Sequence, residues 1–266
     1  MSRNFELLQR AEQEREAERL SKGETAGASS APVDARRNGE WAESLPTNEV
    51  LSKPPGSPMD DSTRDQLTRL LQRLFLRENG CKAVVFTGAG RETGCTWVAA
   101  QAAQLLAAQS PCSVCIVDAN LRFPGMHYFF GVKNHFGLSD ALGQPRPLQD
   151  YVRQVSASNL WLLSSGAAID NEAATPLMES LRARISQARS QFDYVIVDSP
   201  AASHFHDALV AGSATDGLVL VLKANSSRRE TALQIVQEAK AANVRVLGTI
   251  LNQRTFPVPE KIYRRL

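Results

Sequence analysis

Six short apolar runs punctuate the chain from position 82 onward, over residues 82–87, 113–118, 159–164, 194–198, 217–222 and 246–251. Runs such as YVIVD and LVLVL are apolar throughout instead of alternating, the pattern of strands buried on both faces of a parallel sheet. Between them, residues 94–109, 174–191, roughly 206–213 and 228–241 place apolar positions at helical spacing. Strand and helix therefore alternate, which predicts a doubly wound α/β domain with a mostly parallel sheet and right-handed crossovers. In such sheets ligands sit at the carboxyl ends of the strands. No internal repeat is present.

A further helix precedes the first strand. Leu67, Leu70, Leu71, Leu74 and Phe75 fall at helical spacing, with Arg64, Arg69, Arg73 and Arg77 between them. Asp61 or Ser62 is placed to cap its start, and Asn79-Gly80 to end it. The arginines read as a solvated face, although phosphate or an acidic partner would also suit them. Farther upstream, residues 1–20 are polar with a thin stripe of Leu7, Leu8, Ala11 and Leu20, either a solvated short helix or a docking helix. Residues 21–60 are rich in Gly, Ala, Ser and Pro, lack periodicity and read as a flexible linker, with Trp41 its large aromatic. The expected organisation is a disordered or helical N-terminal arm over 1–60, an α/β domain over 61–255 and a short tail over 256–266.

Composition narrows the function classes. A chain of 266 residues, 43% hydrophobic, holds one sizeable core plus an appendage. A net charge of +2 gives no field pointing to nucleic acid or an anionic membrane. No apolar run reaches the roughly 18 residues of a membrane-crossing helix, and the amino terminus lacks the apolar core of a secretory signal. A cytoplasmic protein is expected. Cys112 and Cys115 form a C-x-x-C, but the pair opens a strand-like run, where residues three apart face opposite sides, so ordinary cysteines are expected. His204 and His206 flank Phe205 without a clear third ligand, and read as surface or structural side chains. Lys261, Arg264 and Arg265 near the end are too few for firm membrane binding.

The informative stretch is VVFTGAGRETGCT, residues 84–96, followed by an Ala-rich helix. Strand, glycine-rich turn and helix follow one another, and Ala89-x-x-x-x-Gly94-x-Thr96 has the spacing of a phosphate-binding P-loop with Ala at the first Gly position. The loop residues Ala89, Gly90, Arg91, Glu92, Thr93, Gly94, Cys95 and Thr96 are the candidate nucleotide-binding residues. Two other strands end in Asp118 (IVDAN) and Asp198 (YVIVDSP). A phosphate cradle with two carboxylates on one sheet edge is what a Mg²⁺–ATP or Mg²⁺–ADP site needs: helix amides and dipole hold phosphate, while Thr96, Asp118 and Asp198 hold the metal directly or through water. Each signal alone is weak, because an Asp after a strand is often only a turn. Three at matching positions point to P-loop NTPase ancestry.

Residues 115–142, CIVDANLRFPGMHYFFGVKNHFGLSDAL, resemble the second Walker motif of bacterial tyrosine kinases of the capsule and exopolysaccharide (CpsD/CapB) type, in which Asp-x-Asp-x-Arg-x-Pro precedes Gly-Leu-Ser-Asp. The strand end at 163–166, Thr175-Pro176, FDYVIVDSP as Walker B, and Asp207-Ala208 extend the resemblance over about residues 62–255. It implies a fold shared with MinD/ParA-type ATPases. Thr87-Gly88-Ala89 lacks the signature lysine of that group, which favours the kinase branch over a MinD-like switch. The resemblance further implies ATP and Mg²⁺ as cofactors and, as partner, the cytoplasmic tail of an inner-membrane polysaccharide co-polymerase that recruits the protein to the membrane.

Four departures qualify it. Cys95 stands in place of the P-loop lysine and removes the cation that neutralises transferring phosphate; a helix N-terminus would favour its thiolate, which would repel phosphate. Asn120 replaces the second Asp of the motif, the base implied for the tyrosine hydroxyl, and an amide cannot accept that proton. The tail holds only Tyr263 where the family carries a tyrosine cluster. The ring-forming Glu-x-x-Arg-x-x-Arg survives only as Gln66, Arg69 and Gln72 or Arg73, which leaves homo-oligomer formation open. Two readings follow: a tyrosine autokinase with Asp118 and Asp198 as its catalytic residues, or a kinase-derived protein that binds nucleotide weakly and regulates the assembly.

Overall fold

Asp60 opens the first helix, α1 (Asp61–Leu74), in place of the expected Asp61 or Ser62. Its carboxylate accepts from Thr63 Oγ1 at 2.7 Å and from Thr63 N at 2.9 Å. Both bonds hold that carboxyl below the usual range. The helix ends at Leu74, earlier than Asn79-Gly80 suggested, and Asn79 takes a left-handed φ of 56° in the turn that follows. Leu67, Leu71, Leu74 and Phe75 are buried, and the four arginines are exposed as the solvated-face reading requires.

The computed structural model of the protein describes residues 59–144, 146–155, 159–169 and 177–254. All lie in the second of two compact units, Asn48–Leu266. The helix expected over 1–20, the linker with Trp41, Thr175-Pro176, and the tail with Lys261, Tyr263, Arg264 and Arg265 fall outside the described residues.

After α1 come β1 (Ala83–Gly88), α2 (Cys95–Gln109), β2 (Val114–Asp118), α3 (Met126–Phe130), α4 (Leu138–Gly143), β3 (Arg153–Gln154), β4 (Leu160–Leu163), α5 (Met178–Gln191), β5 (Tyr194–Ser199), α6 (Asp207–Gly212), β6 (Leu218–Lys223), α7 (Arg229–Ala241) and β7 (Val246–Asn252). The described strands form one sheet in the order β3-β4-β2-β5-β1-β6-β7, parallel except for β3 at its edge. All six expected strands are present. Among the described residues, the elements without a counterpart in the sequence reading are β3, α3, α4 and a 3-10 turn at Leu148–Asp150, all too short to display a period.

Alternation along the strands builds two cores. Val84, Phe86, Ile116 and Ile196 face one cluster with α1 and α2; Ala83, Val85, Val117 and Val197 face the other, with Leu181 and Ile185 of α5, Ala208 and Ala211 of α6, and Ile235 of α7. The continuous apolar runs are thus explained: the central strands have no wet face. Asp216, just before β6, joins the layers at the amino ends of the strands. It accepts from Lys82 N at 2.7 Å, Ala83 N at 2.9 Å and Arg189 at 2.6 Å.

Candidate functional site

The order β2-β5-β1 brings three strand ends together. Asp118 and Asp198 are register partners on β2 and β5, so their carboxylates lie side by side on one sheet face. They are 0% and 1% exposed. Asp118 accepts from Asn120 N and Met126 N, each at 3.2 Å. Asp198 Oδ2 accepts from Thr96 Oγ1 at 2.6 Å, while its buried Oδ1 has no hydrogen-bond partner. Burial, with repulsion from Asp198, pushes Asp118 up to about 8. Burial pushes Asp198 up to about 6, against the Thr96 hydrogen bond and the nearby Cys95 thiol. Paired carboxylates held this far from water fit a cation, whose charge reverses that pressure.

The glycine loop curls over them between β1 and α2. A Cβ on Gly88 would come within 2.4 Å of Thr93 Oγ1, so the loop's own residues close around that glycine. Glu92 and Gly94 take left-handed φ values of 57° and 75°. Two side chains from the end of the sheet grip the loop: Asn252 Nδ2 donates to Thr93 O at 2.8 Å, and Gln253 Nε2 to Glu92 O at 3.2 Å. No side chain caps α2, so the amides of its first turn remain available to an anion. A cavity of about 310 Å³ opens above the loop, lined by Gly90–Thr96, Asn120, Phe123 and Phe205 among others. Ala89 is buried, and Asp118 and Asp198 lie behind the wall. Gly94→Ala is expected to lower stability by about 1–2 kcal/mol, because its φ is left-handed. The new methyl would also fall 2.5 Å from Asn252 Nδ2. Urea unfolding checks this, and Asn252→Ala should be less than additive with it.

Cys95 is the first residue of α2 and half-buried, and its thiol neighbours the Asp198 carboxylate. Burial first, and then Asp198, push that thiol well above its ordinary value. This corrects the expectation that the helix terminus favours a thiolate: the neighbouring carboxylate and the loss of water outweigh the dipole, and the group is a neutral donor. Asn120 stands across the cavity and accepts from Phe123 N at 3.2 Å.

Beside the predicted residues is a stack that sequence reasoning missed. Arg122 pairs with the buried Asp207 and lies 4.4 Å from the Phe205 ring centre. Phe205 is 6.5 Å from Phe123, and the Arg91 guanidinium lies 4.8 Å from the Phe123 ring centre. Aromatic residues just after strand-end aspartates were the available signal. His204 and His206 are exposed, and His204 Nδ1 contacts Ser203 Oγ at 2.7 Å. Cys115 is buried in β2 and Cys112 lies ahead of it; both are free thiols. Among the described residues no group of three or more His, Cys, Asp or Glu could hold a metal ion. A cation at Asp118 and Asp198 therefore needs oxygens from water or a ligand, the habit of Mg²⁺ in phosphate sites. No helix among the described residues is long and apolar enough to cross a membrane.

No family model matches the chain. The tyrosine-protein kinase YwqD of Bacillus subtilis is 29% identical over 171 residues, covering 64% of this chain and 72% of that protein. The tyrosine-protein kinase etk of Escherichia coli is 28% identical over 198 residues, covering 74% of this chain but only 27% of that protein. The solved kinase domain of the latter superimposes with a TM-score of 0.63 at 26% identity, over 74% of this chain and 76% of the domain. The chain is similar to bacterial tyrosine kinases in both sequence and fold. The cell-division ATPase MinD of Pyrococcus furiosus has the same fold at a TM-score of 0.56 and 22% identity, over 69% of this chain and 78% of that one. Thr96, Asp118 and Asp198 stand together in this fold, while positions 95 and 120 carry a thiol and an amide.

Proposed function

We propose that the chain is a bacterial-tyrosine-kinase-like nucleotide-binding protein of capsule or exopolysaccharide export that acts mainly by binding. One observation carries this reading: Thr96, Asp198 and Asp118 are assembled behind the phosphate cradle with Asp198 Oδ1 unpartnered, while the adjoining Cys95 is a neutral thiol. That orphaned, buried oxygen and the uncapped amides of α2 fit Mg²⁺ with ATP or ADP. Thr96, Asp198 and Asp118 would hold the metal, and residues 89–96 the phosphates. Held by these residues, Mg²⁺ would supply positive charge to offset that of the phosphates. The cradle fixes phosphate by backbone donors, which need no lysine. Transfer is slow because position 95 offers no cation to the developing charge and Asn120 no base to an acceptor hydroxyl.

The working domain of this proposal is 61–255, and its partner is the cytoplasmic tail of an inner-membrane polysaccharide co-polymerase, which places the protein on the cytoplasmic side of that membrane. Titration of the full chain with ATP and ADP tests the reading. Binding that strengthens with Mg²⁺, and loses that dependence in Asp198→Ala, is the expected result. Phosphotyrosine or ADP formed faster than about 1 per minute, against the roughly 1–100 per second of working kinases, and lost in Asp198→Ala, would establish the autokinase instead.

A further inference from the structure

A loop that holds phosphate benefits from a nearby cation, and Cys95 supplies none. Among the charged side chains of the loop, Glu92 lies 3.7 Å from Lys223. The other is Arg91. It lines the cavity, and among the described residues no carboxylate pairs with it. Its guanidinium lies over the ring of Phe123, which is 54% exposed despite its size. A large exposed ring at a cavity mouth needs a reason, and here it provides a face for the arginine. Phe123 is itself held: its amide donates to Asn120 at 3.2 Å, and its ring leans toward Phe205, beneath Arg122 and the buried Asp207. The stack Arg122–Phe205–Phe123–Arg91 thus runs from the fixed start of α6 out to the glycine loop.

We infer that Arg91 is the phosphate-binding cation of this loop, taking the electrostatic role that position 95 has lost, with Phe123 as the residue that positions it. The inference rests on the nucleotide reading above. An arginine suits the task because its forked donors match phosphate oxygens, and because stacking limits the rotamer freedom it would otherwise lose on binding. It also suits a protein that binds more than it transfers, since a charge approaching from the loop's outer side helps hold a phosphate without replacing a lysine at the helix start.

The test is calorimetric titration of the full chain with Mg²⁺–ADP. Arg91→Ala should weaken binding about tenfold, and Arg91→Lys by less. Phe123→Leu should reproduce a good part of the loss, while Phe123→Trp, which keeps a ring face, should retain the affinity. Melting temperatures of the ligand-free variants should match the parent, because both side chains are solvent-exposed. A parent that binds Mg²⁺–ADP beside an Arg91→Ala variant that binds it equally well overturns the inference and leaves the nucleotide reading standing. A loss in Phe123→Leu that Phe123→Trp does not recover removes Phe123 from the positioning role. A parent that binds no nucleotide overturns both.

Discussion

Cys95→Lys raises the affinity for Mg²⁺–ATP by about ten- to a hundredfold, and adding Asn120→Asp brings phosphotyrosine formation into the measurable range. The thiol that lysine replaces sits at the first position of α2, on the cavity wall, beside Asp198. An ammonium there meets a buried carboxylate behind it and phosphate in front. A charge-assisted hydrogen bond contributes roughly 1.5–3 kcal/mol, which is the range of affinity stated. Asp198, now pushed up to about 6 by burial, also falls back toward the ordinary carboxylate range beside a cation. The second change puts a carboxylate where an acceptor hydroxyl must lose its proton. Calorimetry reads the first effect and anti-phosphotyrosine detection the second. An unchanged affinity in Cys95→Lys would mean that position 95 does not face the phosphates, and the nucleotide placement would fall with it.

Without ligand, the protein loses stability as the pH rises from about 4 to 8, and Asp198→Asn removes the share that Asp198 contributes. The sign follows from protons bound. Asp118 is held up to about 8 and Asp198 up to about 6 by burial, whereas both titrate near 3.9 in an unfolded chain. Between those values the folded protein keeps protons that the unfolded chain has released, so each step upward in pH favours unfolding. Their stability is fully present below about pH 4 and is lost as the pH passes the folded values. Asp193 and Asp216 behave oppositely. The Ser113 hydrogen bonds hold Asp193 low; Asp216 is lowered despite its burial by the Ala83 and Lys82 amides and Arg189. Their contribution is lost below about pH 4, which leaves the optimum between the two windows. Asp198→Asn removes one buried charge and its repulsion of Asp118, and brings a donor to the orphaned Oδ1 position. At pH 8 the gain is on the order of 3 kcal/mol, since one pKa unit is worth about 1.4 kcal/mol. Thermal unfolding across pH 5–8.5 checks it; parallel profiles for parent and variant would mean the carboxylates are not held apart from water.

Much of this arrangement was readable in the residues, and the limits have physical causes. The strands were legible because burial on both faces leaves an uninterrupted apolar run, as in Tyr194–Ser199. Asp118 and Asp198 were legible because strand ends on one sheet edge are brought together by topology alone, and Thr96 because the glycine-loop spacing places it at the start of the helix that follows. Asp60 was missed because three polar residues at 60–62 could each cap, and only the turn geometry chooses among them. Asn252 was missed because the clamp it makes on Thr93 spans 159 positions along the chain, beyond any local pattern. The Arg91–Phe123–Phe205–Arg122 stack joins three loops by side-chain direction, which spacing does not encode. The state of Cys95 depended on Asp198 beside it, a neighbour brought there by the fold.

The grip of Asn252 and Gln253 on the loop carbonyls has a consequence for how any anion arrives. The curve of the loop is imposed from the far end of the sheet, by contacts that need no guest and do not involve the residue at 95. Its conformational entropy was surrendered during folding, so an incoming phosphate meets a preorganised receptor and has little left to order. A mould supported from outside keeps its shape when one of its inner residues changes, and the loop can lose a lysine without losing the form that made lysine useful.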